Sequence, residues 1–257
     1  MTSNCARVNI LGVGVSAIDM SAALQASEEL LDGNGRGYVC VTGVHGIIEA
    51  QDDEQFRSIL NHSHLTTPDG MPTVWCGRLN GFKSMSRVYG PDYMLALCRR
   101  SVSKGYRHFL YGGKEGVAEQ LRDELTRRIP GLVIVGTYTP PFRPLSPTEQ
   151  DALKAQLDEG KADILWCGLS TPKQERFIAA NLALLPVKLM VGVGAAFDLL
   201  SGNLSEAPDW MKKSGLQWFY RLIKEPRRLW RRYLFNNPRF IALVLLQVMG
   251  LKRFSTS

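Results

Sequence analysis

At 257 residues, 45% of them hydrophobic, the chain can bury one large core or two small ones, and no stretch has a disordered composition. Its five cysteines (Cys5, Cys40, Cys76, Cys98 and Cys167) form no CxxC pair, which argues against a disulfide framework or a cysteine zinc site and fits a reducing cytoplasm. The net charge of +7 is unevenly placed: residues 212–257 hold 11 Lys/Arg against one acid, Glu225, leaving 20 basic and 23 acidic side chains in the first 211.

A near-neutral body with a basic tail calls for an anionic surface or ligand at the tail. The stretch from Met1 to Arg7 runs into a strand-like segment without a basic-then-apolar leader, so no signal peptide is expected. Val8 to Val15 reads as a buried strand, Asp19 to Leu31 as a helix stopped at Asp32-Gly33, and Gly37 to Gly43 as a second strand. A helical stretch follows to about His62. Thr66-Thr67-Pro68-Asp69-Gly70-Met71-Pro72 reads as a loop, because its Pro and Gly residues resist regular structure, with a short apolar piece around Val74 to Cys76 behind it.

Beyond it, the spacing predicts helices over Pro91–Lys104 and Glu115–Arg128, strands over His108–Tyr111 and Leu132–Val135, and a Pro-rich loop over Thr137–Arg143. Ser146-Pro147-Thr148-Glu149 carries a helix-start signature for a helix to about Glu159, and Thr171-Pro172-Lys173-Gln174 repeats that grammar after a strand at Asp163–Cys167. Val187 to Val193 is the last strand. From Ala207 the pattern is helical, aromatic and basic, with breaks expected at Pro226 and Pro238. Strands without clear alternation between helices predict a parallel sheet covered on both faces. The expected architecture is an α/β, Rossmann-like domain over residues 1–205 and a helical, basic appendage over 206–257.

Ligands of open α/β sheets lie outside the carboxyl ends of the strands. Thr42, Gly112 and Gly113, the run from Gly168 to Gln174, and Gly192 to Asp198 all fall there, although neither Gly12-Val13-Gly14 nor Gly192-Val193-Gly194 has full dinucleotide-binding spacing. Each glycine is explained about as well by tight packing. Gln174 is equally explained as a capping residue at the third helical position, Asp69 as a turn residue bonding its own backbone, and His62 and His64 as solvated loop histidines without a third metal ligand. The tail interleaves Trp218, Phe219, Tyr220, Trp230 and Tyr233 with cations. Nucleic acid or an anionic bilayer would accept such a pattern, and the apolar run from Phe240 to Leu251 favours lipid. That run is short of the roughly 20 residues a spanning helix needs. Arg221, Arg228 and Arg231 would share a helical face if Pro226 only bends the helix, and a one-sided arginine row suits a diphosphate.

Thr67-Pro68-Asp69-Gly70-Met71-Pro72, Arg87-Val88-Tyr89-Gly90-Pro91-Asp92, Leu110-Tyr111-Gly112-Gly113, Gly168 to Glu175, Gly192 to Asp198, Ala207-Pro208-Asp209-Trp210, Tyr220-Arg221-Leu222 and Glu225-Pro226-Arg227-Arg228 together resemble, in order, the WecG/TagA/CpsF family of bacterial glycosyltransferases. The resemblance implies transfer with inversion from a UDP-sugar to a polyprenyl-diphosphate-linked saccharide, peripheral to the cytoplasmic membrane face, with no metal or other cofactor. The absence of a DxD motif agrees. It implies Asp69 as general base, Arg221, Arg228 and Arg231 as cations for the leaving diphosphate, Arg87 as a pocket arginine, Thr42 and Gln174 as polar pocket residues, and Asp198 as a nucleotide reader.

Three positions depart from the family pattern: His45 stands for the usual Asn, Pro140-Pro141-Phe142 for Gly-Tyr-Phe, and Glu206 for Arg. They bear on which sugar is moved, among N-acetylmannosamine, its uronic acid, glucose and glucuronic acid. The expected partners are the UDP-sugar, the lipid-linked saccharide and an anionic membrane, with no nucleic acid and with room for a homo-oligomer. The alternative is a non-catalytic UDP-sugar-binding or scaffolding protein of a polysaccharide assembly complex.

Overall fold

The computed structural model describes residues 5–256, so Met1 to Asn4 of the expected leaderless stretch lie outside it. The chain does not form one strand over Val8–Val15. It folds instead into an antiparallel hairpin of β1 (Arg7–Ile10) and β2 (Val13–Ser16), paired Ile10 to Val13. Leu11 and Gly12, at φ +53° and +82°, make the two-residue turn. Positive φ at both central residues matches the right-handed twist of the flanking strands, and glycine adopts it readily.

The main sheet has six parallel strands: β3 (Gly37–Thr42), β4 (Leu65–Pro68), β5 (Arg107–Gly112), β6 (Val133–Tyr138), β7 (Ile164–Gly168) and β8 (Leu189–Gly192), in spatial order β4-β3-β8-β7-β5-β6. Successive residues of β7 go to opposite faces: Ile164 and Trp166 join one buried cluster, Leu165 and Cys167 the other. Both faces are buried, which is why the strands read as continuous apolar runs. The first face packs against α1 (Met20–Asp32), α5 (Gly90–Lys104) and α6 (Val117–Arg128), the second against α2 (Val44–Asp52), α3 (Glu54–His62), α7 (Pro147–Gly160) and α8 (Lys173–Asn181).

Three local expectations change. Thr66 to Pro68 belong to β4, since the β-branched Thr66 and Thr67 suit pairing with Cys40 and Val41 of β3, and Pro68 ends an edge strand, where a missing N–H is tolerated. The piece around Val74–Cys76 lies within α4 (Met71–Leu79), which starts directly behind Asp69-Gly70 and carries proline in its first turn. At α8 no side chain caps the helix: Thr171 Oγ1 donates to Glu175 Oε1 instead, as does Gln174 Nε2, both at 2.9 Å. The capping box at Ser146 and Glu149 forms as the sequence predicts.

Gly112 sits at φ +123°, and a Cβ there would lie 2.8–2.9 Å from backbone atoms of Gly168. Its glycine is set by the close approach of β5 and β7. Gly112→Ala should therefore destabilise the fold by about 3 kcal/mol, combining a strained φ with a backbone clash, readable as a lower urea midpoint.

After α9 (Ala196–Leu200) come α10 (Asp209–Lys213), α11 (Gln217–Lys224) and α12 (Pro226–Val248). Pro226 starts α12, as a first-turn proline can. Pro238 does not break it: the helix runs on for 23 residues with Pro238 inside, giving up one internal backbone bond. α12 then packs back on the body. Arg239 forms a bidentate pair with Asp52 at 2.5 and 2.6 Å, Gln247 bonds the backbones of Asn9 and Leu11, and Phe240 is buried in the second core cluster. Among the described residues no helix is long and apolar enough to cross a membrane.

Candidate active site

The carboxyl ends of β3, β4, β7 and β8 open onto one cleft of about 670 Å³, closed on its outer side by α11 and α12. Asp69 follows β4 directly and is half-buried. Its N–H donates to the Thr42 carbonyl at 3.1 Å, its Oδ1 accepts the Gly90 N–H at 3.3 Å, and its own carbonyl accepts Arg87 Nε at 2.6 Å. These bonds immobilise the residue's backbone, so the carboxylate is held by the sheet edge and the start of α5.

Arg87 is in turn held over the Tyr89 ring, 4.1 Å from its centroid, and bonds Gln217 Oε1, while Gln217 Nε2 donates to the Tyr89 hydroxyl at 2.7 Å. Gln217 opens α11, so this cluster pins the appendage beside Asp69. Arg221 lies on α11, 3.5 Å from Glu225, and Arg228 on α12, 2.6 Å from the same carboxylate. Arg232, one turn further along α12, is largely buried and its Nε has no partner among the described residues. Burial lowers its pKa, with the positive charges of Arg221 and Arg228 acting in the same direction. A buried, under-partnered guanidinium is costly unless an anion meets it.

Opposite the arginines lie two buried acceptors. Glu175 Oε2 and Gln174 Oε1 are both buried without a hydrogen-bond partner among the described residues, and burial raises the Glu175 pKa. Asp198 stands in the first turn of α9 on the same wall.

Asp69, Arg221, Arg228, Thr42, His45, Arg87, Gln174 and Asp198 all line this one cleft. Arg231, Gly112 and Gly113 do not. Arg231 is exposed with its guanidinium 5.2 Å from the Trp230 ring, and both glycines serve strand and helix packing. The break at Pro226 puts Arg221 and the later arginines on separate helices, so sequence spacing across it does not define a face. On α12 the inward stripe runs through Arg228, Arg232, Asn236 and Phe240, four apart, and Arg232 occupies the place expected for Arg231. Glu175 and Tyr89 were also not singled out. Arg232's fourfold spacing from Arg228 was the available signal, while Tyr89 and Glu175 stand inside two of the family-like motifs, which gave neither side chain a role.

Of the departing positions, His45 Nδ1 takes a hydrogen bond from Asn236 Nδ2 at 2.9 Å, tying α2 to α12. Glu206 pairs with Lys212 at 2.8 Å, and Pro140, Pro141 and Phe142 stand away from the cleft, Phe142 being exposed. Burial, reinforced by the Arg232 charge, depresses the His45 pKa to about 3 even though Glu49 lies 3.4 Å away; burial alone depresses His108 to about 3.

In the unfolded chain both imidazoles take up protons near pH 6.5. Their contribution to stability is therefore full above pH 6.5 and is lost as pH falls toward 3, by up to about 1.4 kcal/mol per pH unit for each. Urea midpoints measured from pH 8 to 4 should decline accordingly, and His45→Asn should make the decline shallower by one proton. No three His, Cys, Asp or Glu side chains converge as a metal site among the described residues; His62 bonds Ser58 on the surface and His64 Nε2 lies 3.1 Å from the Ala26 carbonyl.

A carboxylate on a rigid turn, facing arginines carried by an appended helix pair at the carboxyl end of a parallel sheet, defines an α/β protein built to act on an anionic ligand. Residues 8–254 match the WecG/TagA/CpsF glycosyl transferase family, and the chain belongs to that family. It is similar to the N-acetylglucosaminyldiphosphoundecaprenol N-acetyl-beta-D-mannosaminyltransferases of Bacillus subtilis (strain 168) and Bacillus spizizenii (strain ATCC 23059 / NRRL B-14472 / W23). Identity to the first is 32% over 79% of this chain and 76% of the relative. Identity to the second is 29% over 84% and 81%.

Proposed function

We propose that the protein transfers an N-acetylhexosamine from a UDP-sugar to a polyprenyl-diphosphate-linked saccharide, in assembly of a cell-surface polysaccharide. The observation that carries this reading is the convergence of Asp69 with Arg221, Arg228 and Arg232 in a single cleft. The relatives' acceptor, N-acetylglucosaminyldiphosphoundecaprenol, carries a diphosphate between sugar and lipid, so donor and acceptor would each bring a diphosphate to the four arginines of the cleft, Arg87, Arg221, Arg228 and Arg232.

In the proposed step the acceptor hydroxyl gives its proton to Asp69 as its oxygen bonds to C1 of the donor sugar. The C1–O bond to UDP breaks in the same displacement, which inverts the anomeric centre. Charge develops on the departing diphosphate, where Arg221, Arg228 and Arg232, with Arg87 nearby, stabilise it without a metal. Asp198 reads the nucleotide, while Thr42, His45 and Gln174 shape the sugar pocket. The exposed aromatics and cations of α11 and α12, including Phe219, Trp230 and Arg231, rest on the anionic inner face of the membrane.

A panel of UDP-sugars, assayed for UDP release with a lipid-diphosphate N-acetylglucosamine acceptor, tests the reading. UDP-N-acetylmannosamine should turn over best, and release from none of the panel would overturn it.

A further inference from the structure

We propose that the cleft continues into an apolar groove between α4 and α12 that holds the first isoprenoid units of the acceptor lipid within the protein. This rests on the function proposed above and extends it, since the enzyme would then read the hydrocarbon chain as well as the diphosphate.

One wall is a stripe on α4. Met71, Trp75 and Leu79 are four residues apart, lie on one helical face and all line the cleft. Trp75 is 46% and Leu79 76% exposed, unusual for large apolar side chains on a body helix. Trp75 is also seated: Gly215, at φ +77°, lets the turn between α10 and α11 lie so close that a Cβ there would approach the Trp75 ring to 2.9 Å. The facing wall is on α12, where Ile241 and Leu245, again four apart and 59% and 53% exposed, line the same cleft beside Val244.

Both walls start at the chemistry and run outward. α4 begins two residues after Asp69, and the α12 stripe continues from Arg228 and Arg232. A groove that is cationic at one end and hydrocarbon along its length fits an amphiphile with an anionic head and an apolar chain. A protein surface docking here would have to bring its own anion to the arginines. Exposed apolar side chains that do not line the cleft, Ile223 and Phe235 among them, are left to meet the bilayer.

The test measures binding of inorganic diphosphate, geranyl diphosphate and farnesyl diphosphate to the full-length chain by calorimetry, without membrane or detergent. Affinity should rise at each step, at least about tenfold from inorganic to farnesyl diphosphate, because each enclosed methylene leaves water. Leu79→Ser with Leu245→Ser should reduce that gain to about threefold or less, whereas Phe235→Ser on the outer face should keep it. The melting temperature of each variant verifies folding, and these exposed sites should tolerate the change.

Affinity independent of chain length, or a gain lost in Phe235→Ser and kept in the double variant, would overturn the groove and assign the chain to the bilayer face. A dimer that Leu79→Ser dissolves and farnesyl diphosphate does not would also overturn it, in favour of a second copy. Binding needs no transfer, so a chain-length gradient in a protein releasing no UDP would leave the groove standing and remove the proposed reaction. Transfer without the gradient would do the reverse.

Discussion

Asp69→Asn is expected to lower turnover by about 10²-fold or more while leaving the melting temperature unchanged, the loss typical of removing a general base. The substitution is conservative for the fold. Asparagine can accept the Gly90 N–H through its own Oδ1, and the backbone bonds from Asp69 N–H to Thr42 and from Arg87 to the Asp69 carbonyl do not involve the side chain. What it cannot do is take a proton from a sugar hydroxyl. UDP release and a thermal melt on the same preparation check both halves. A rate within threefold of wild type would remove Asp69 from the role. A wild-type protein that binds UDP-sugar yet transfers nothing would favour the non-catalytic reading.

Arg232→Met should cost a similar factor, about 10²-fold in turnover, while stability holds or rises. The rate term is the loss of one preorganised charge at a developing anion. The stability term has the opposite sign, because Arg232 is largely buried with its Nε unpartnered, and methionine fills comparable volume without a charge to desolvate. A fall in activity without a fall in urea midpoint is thus the expected signature, and parallel loss of both would mark Arg232 as structural. This variant is cleaner than truncation after Ala207. Truncation would also strip Phe240 from the second core cluster and the Arg239 pair from Asp52, so lost activity could reflect an unpacked body.

Legibility differed between parts of the chain for physical reasons. Local rules carried α1, the Ser146 capping box and the central strands, because capping and apolar runs bounded by glycine act over a few residues. The hairpin at Leu11-Gly12 was hidden because the apolar run from Ile10 to Val15 continues across its turn and reads as one strand. β4 was hidden because Pro68 suggests a loop until the strand is seen to lie at the sheet edge. Pro238 looked like a break, yet the packing of α12 against α2 and the hairpin carries the helix through it.

By itself, then, the sequence determined a parallel α/β body, a basic helical tail, the acid at Asp69 and an ordered set of family motifs, all readable from local propensity and motif order. Only the tertiary structure decided that the tail closes the cleft, that Arg232 faces inward while Arg231 faces out, and that Gly112 and Gly113 serve packing. Those outcomes depend on how α12 docks, through contacts such as Gln247 with Leu11, 236 residues apart, and Asn236 with His45, 191 apart. A helix's periodicity fixes which side chains share a face, but its partner surface fixes which face turns inward.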